Sequence, residues 1–147
     1  NIKFFRFLID LELLDILNNF KFEEKNFDKI FKISARYSIN NNFNLDTFVG
    51  NNLNICNKEV SYRNNDEQHP NTVLFCIHKE YISKFKQSLI KLENDYINYE
   101  NSLNYKNKDP TNIPFFEKKI VEYNEVSFIS ICGACGYVSS YNFYHEC

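Results

Sequence analysis

From residue 79 to about residue 105 the chain places apolar residues at alternating spacings of three and four: Ile82, Phe85, Leu89, Leu92, Tyr96, Tyr99 and Leu103. That period belongs to a helix and to no strand. It predicts one long helix, ~40 Å at a rise of ~1.5 Å per residue, ended by Asp109-Pro110. A rod of that length either lines a core along one face or docks on a partner. Ile90 and Ile97 widen the stripe beyond a two-position seam, which favours core packing. Ile82, Phe85, Leu89, Leu92, Tyr96 and Tyr99 are also the candidate interaction surface.

The segments around this helix set the fold class. Residues 2–19 predict a helix that is apolar around most of its circumference. Arg6, Asp10, Glu12 and Asp15 lie inside it, and they exclude a bilayer span. Residues 23–37 predict a second helix, with Phe27, Ile30, Phe31 and Ala35 inward. Residues 38–52 read as loop. Residues 53–63 suggest two short strands around Asn57-Lys58, and 64–71 a polar loop ending in His69-Pro70. Residues 72–78 form an apolar run of strand length, and 119–131 suggest a hairpin through Asn124-Glu125. The expectation is a single α+β domain over 1–147. Its parts are a helical arm or hairpin at 1–37, a body at 38–131 with the long helix packed on a small, mostly antiparallel sheet, and a cysteine/histidine knuckle at 132–147.

With 147 residues and 44% hydrophobic content, the chain has the mass for a core, and its net charge of −2 argues against a nonspecific polyanion binder. Asn 23, Phe 15 and Tyr 10 against Gly 3 and Pro 3 match AT-rich codon usage, so Asn-Asn runs carry little meaning. The few glycines and five cysteines are more informative for having survived that bias. The chain opens at Asn1 and holds no methionine, so a processed or partial product is expected.

The chain ends in Cys132-Gly133-Ala134-Cys135-Gly136, then His145-Glu146-Cys147, a C-x2-C-x9-H-x-C pattern. A C-x2-C turn sets two sulfurs on one side of a tight loop, and Gly136 offers the positive φ such a knuckle often needs. In an extended segment His145 and Cys147 share a face. Cys132, Cys135, His145 and Cys147 are therefore the candidate ligands of a structural Zn2+ in a closed tetrahedral site. A Cys132–Cys135 disulfide, or one involving Cys147, is the alternative. A redox C-x2-C would open a helix after a strand, and Tyr137-Val138 is no helix start.

Thr111-Asn112-Ile113-Pro114-Phe115-Phe116, Ile120-Val121, Phe128 and Cys132-x2-Cys135-Gly136 together resemble the approach to the second cysteine pair of ZPR-type zinc-finger proteins. The resemblance implies a second C-x2-C upstream, which this chain lacks, and it does not extend to His145 and Cys147. No function is carried from it.

Cys56, His69, Cys76 and His78 are a second candidate metal set, since Cys76 and His78 share a strand face. Against it stands a bland reading, with Cys76 as a small core hydrophobe beside Leu74 and Phe75. Cys76 with His69 or His78 is the one internal pair suited to a thiol enzyme, but no glycine-rich elbow accompanies it. No phosphate loop, dinucleotide fingerprint or H-E-x-x-H is present. The expected function is a non-catalytic, zinc-stabilised interaction or structural protein. It would be an intracellular subunit or bound factor of a larger macromolecular complex, with protein partners, no membrane span and no small-molecule substrate. Three alternatives stand beside it. The first is a ribonucleoprotein-associated factor contacting RNA phosphate through Lys79, Lys84, Lys86, Lys91, Lys106 and Lys108. The others are a secreted or lumenal disulfide protein, and a Cys/His enzyme.

Overall fold

The computed structural model describes residues 12–19, 27–34, 37–60, 68–102, 116–138 and 143–146. The chain is α+β. The described residues form three α-helices, α1 (12–19), α2 (Ile82–Ser102) and α3 (Phe116–Tyr123). Seven strands accompany them: β1 (Lys29–Ile33), β2 (Tyr37–Ile39), β3 (Leu53–Val60), β4 (Gln68–His78), β5 (Val126–Ile129), β6 (Ala134–Val138) and β7 (Phe143–Glu146). Short 3-10 turns lie at Leu45–Thr47 and Lys79–Tyr81. The chain divides into two compact units, one of residues 1–26 and 83–124, the other of 27–82 and 125–147.

The first unit holds the helices. α2 is the long helix that the three-four spacing predicts. Ile82, Phe85, Leu89 and Leu92 on it are buried, and Tyr96 and Tyr99 half-buried. Ile90 and Ile97 do not widen the packed face; they are exposed. The expected hairpin at 119–131 is instead α3 followed by β5. Phe116 and Ile120, four apart, form the buried face of α3. Asn124 then donates to the Ile120 carbonyl at 2.8 Å and to Ser88 Oγ at 3.0 Å, tying the end of α3 to α2. Tyr123 donates its hydroxyl to Asp95 of α2, and Lys91 Nζ lies 3.7 Å from the centre of the Tyr123 ring.

The second unit holds both sheets. Strands run in the order β1-β4-β3-β5 in one sheet and β2-β6-β7 in the other. The first sheet is mixed, because β5 runs parallel to β3 while the other pairs are antiparallel. β1 replaces the second half of the helix expected at 23–37; residues 23–26, 35 and 36 lie outside the described residues. Lys29, Phe31 and Ile33 alternate with Ile30 and Lys32, a period of two. β4 supplies a full ladder, from Lys29 opposite His78 to Ile33 opposite Leu74. Cross-strand pairing therefore overrides the helical spacing of Phe27, Ile30 and Phe31. The two short strands expected at 53–63 are one strand with a register break after Ile55, and β4 begins earlier than 72, running through Pro70.

One face of the mixed sheet carries the pairs Leu53–Ile77 and Ile55–Phe75, all four fully buried. The other face joins a cluster of Phe48, Cys56, Leu74, Cys76, Ile129, Cys132 and Ala134, with Phe31, Phe43 and Val73 against it. Phe31, Phe43 and Phe48 meet with ring centres 4.9–5.5 Å apart, Phe31 edge-on to the other two.

Candidate functional site

Of the cysteine pair near the chain's end, Cys132 lies in the core and Cys135 at a sheet surface. Cys132 is fully buried in the cluster that also holds Ala134. Cys135, the next strand residue after Ala134, falls on the opposite face of the pleat. It is half-exposed, with Sγ 3.8 Å from Ser38 Oγ on β2. Cys135 is a free thiol, so no bridge joins it to Cys132. The positive φ falls at Gly133 (+73°), inside the C-x2-C, and not at Gly136, which pairs with Tyr37 and His145 in the middle of its sheet.

β6 and β7 do pair as an antiparallel hairpin, Cys135 opposite Glu146 and Gly136 opposite His145. Positions 135 and 145 therefore lie on opposite faces. The His145 side chain and Cys147 lie outside the described residues. Among the described residues no group of three or more His, Cys, Asp or Glu is placed to hold a metal ion. Cys132 lies just before β6 and Cys135 within it.

The second candidate set fares differently. The His69 side chain lies outside the described residues, and Cys56, Cys76 and His78 do not gather into a metal-holding group. Cys56 and Cys76 are members of the apolar cluster. Burial pushes the Cys76 pKa up to about 12, against a smaller lowering by Lys29. The sulfur is held as a thiol and is no nucleophile at neutral pH.

His78 has a partner that sequence reasoning missed. Its Nε2 lies 3.1 Å from Asn54 Oδ1, and both side chains are buried. Asn54 Nδ2 donates to Val49 O and to Asn52 Oδ1, each at 3.1 Å. Both amide protons are spent on oxygens, so Oδ1 is the acceptor and His78 Nε2 the donor. Asn52 continues the chain of bonds: its Nδ2 donates to Ser127 Oγ at 2.8 Å, and Ser127 donates back at 3.3 Å. The row crosses from β4 through β3 to β5. Burial lowers the His78 pKa below its ordinary value; Lys29, opposite it on β1, lowers it further, and Glu80 partly offsets both. The one sequence signal for this row is a lone Asn54 among Leu53, Ile55 and Cys56.

On α2 four residues of the expected interaction surface, Ile82, Phe85, Leu89 and Leu92, are buried. The helix's exposed apolar residues are Ile90 and Ile97, one heptad apart. No described helix is long and apolar enough to cross a membrane. No known protein family, curated protein or solved structure matches the chain.

Proposed function

We propose that this chain is a non-catalytic interaction or structural module, a subunit or bound factor of a larger assembly. What carries the reading is the exposed pair Ile90 and Ile97 on α2. Spaced by seven, they stand on one stripe of the helix, the spacing of a helix-docking seam. The residues suited to chemistry support the same reading, since Cys76 and Cys132 are core side chains and His78 is engaged by Asn54. The partner binds the outer stripe of α2; the inner stripe holds the unit together. The reading rests on α2 and not on the zinc pattern of Cys132, Cys135, His145 and Cys147.

One measurement tests it. In a pull-down with its assembly, or by sedimentation if the partner is a second copy, the double variant Ile90→Glu/Ile97→Glu loses association at least tenfold and keeps its helical signal. Undiminished association overturns the docking surface. Native mass spectrometry with and without a chelator decides the zinc pattern separately, and unchanged mass and folded charge states remove it. Loss of one zinc together with the folded signal returns the four-ligand site.

A further inference from the structure

We infer, resting on the reading of Ile90 and Ile97 as a docking surface, that its occupant is a second copy of this chain, with the two α2 helices laid antiparallel about a two-fold axis. Ser83, Gln87, Ile90, Asn94, Ile97 and Asn101 follow one another at alternating spacings of four and three, and all six are exposed. They form a continuous seam along α2, ~27 Å long at a rise of ~1.5 Å per residue. Phe85 and Leu92, on the opposite side of the helix, are buried. The seam is therefore the side of α2 that packing within its own unit leaves open. Its composition, two isoleucines among amides and a serine, suits a surface that stands in water until a partner arrives.

The charges beside the seam select the partner and its direction. Lys84, Lys86 and Lys91 lie on the N-terminal half of α2, and Glu93, Asp95 and Glu100 on its C-terminal half. A polyanion would match only the first half and a basic partner only the second. A helix divided in the same way and laid antiparallel matches both, and a second copy supplies one. Lys91 and Asp95 are engaged by Tyr123, so the match falls to Lys86 and Glu100. Among the described residues neither of these has an ion pair. With Ile90 on the partner's Ile97, Lys86 stands beside the partner's Glu100, and the symmetry makes each contact twice. A parallel pair, with Ile90 on the partner's Ile90, would instead bring Lys86 toward the partner's Lys91. The two copies of Glu93 lie near the antiparallel axis as like charges. They limit the dimer to weak association, with a Kd of ~10 μM to ~1 mM.

The test is sedimentation of the full chain across that concentration range, where a monomer–dimer equilibrium is expected. Ile90→Glu/Ile97→Glu weakens it at least tenfold and keeps the helical signal. Lys86→Glu and Glu100→Lys each weaken it about threefold. The double variant Lys86→Glu/Glu100→Lys returns wild-type association, because the reversed charges meet again, and Glu93→Gln tightens it. Tighter association of Lys86→Glu overturns the antiparallel arrangement, since only a parallel pair has a Lys86–Lys91 repulsion to relieve. A double variant no better than the two single ones overturns it as well. A wild-type chain that stays monomeric throughout refutes the second copy as occupant, as does a dimer that survives the isoleucine changes. The docking reading fails separately, when the isoleucine variant keeps its association with the assembly.

Discussion

Gly133 shows how much a single missing side chain can decide. Its φ of +73° lies where L side chains are strained, and a Cβ there would stand 2.3 Å from the backbone N and Cα of Phe43. Its carbonyl takes the Asn40 N–H at 2.9 Å. The close approach lets the loop after β2 lie flat on the start of β6, with Phe43 against Phe31 and Phe48. Gly50 makes a useful contrast. Its φ is also positive, +88°, but the nearest atom to a built Cβ is Asn52 Oδ1 at 3.4 Å. Gly50→Ala should cost ~1 kcal/mol, the left-handed penalty alone. Gly133→Ala should cost more than ~2 kcal/mol, because backbone must move as well. Urea midpoints of the two variants check this, and equal losses would show that the Phe43 segment yields freely. The sequence marked the glycines of the C-x2-C-G stretch as meaningful but pointed to Gly136. The motif has a turn-forming glycine on each side of its second cysteine, and only the pairing of β6 with β2 and β7 tells which one turns.

Elements were legible where their information is local. α2 announces itself because seven apolar residues repeat the period of one helix, and no distant strand competes. β1 and α3 are hidden in the sequence for the opposite reason. The five residues of β1 fit a helical face as well as a strand, and the decision lies in β4, more than forty positions on. α3 was hidden because Ile120-Val121 resembles a strand, while its helical partners, Phe116 behind and Asn124 ahead, are single residues. The exposed and buried sides of α2 are also indistinguishable in sequence, since isoleucine stands on both. Their energetics separate them. Leu89→Ala removes a buried side chain and should cost ~2–5 kcal/mol, whereas Ile90→Ala on the exposed stripe should change stability by less than ~0.5 kcal/mol. Thermal denaturation of the two variants reads the difference. A large loss at Ile90 would mean that the outer stripe is part of the folded core and not a docking surface.

At the scale of the whole molecule, each compact unit is assembled from two separate stretches of chain. The second unit draws Phe48, Cys56, Leu74 and Cys76 from its first stretch and Ile129, Cys132 and Ala134 from its second. β5 is parallel to β3, with the Leu53 N–H on the Glu125 carbonyl at 3.3 Å. A parallel pair needs a long crossover, and here the crossover contains β4, α2 and α3. No local pattern can encode such a partner, so the one parallel pair of an otherwise antiparallel sheet is invisible in the sequence. The place of Ile129, Cys132 and Ala134 in the core has a direct consequence. A chain ending at Asn124 keeps β1, β3 and β4 but loses three of the seven buried cluster members, β5 and the whole β2-β6-β7 sheet. Each large apolar side chain uncovered forfeits ~1.5–3 kcal/mol, against a total stability of ~5–15 kcal/mol for a domain. Phe48, Leu74 and Phe31 all lose neighbours at once. Residues 27–82 of that fragment should show no slowly exchanging amides in β1, β3 or β4, although the full chain protects them. Survival of that protection would mean that the three antiparallel strands stand alone, and that the cysteine hairpin is an attachment free to serve a metal or a partner instead of the core.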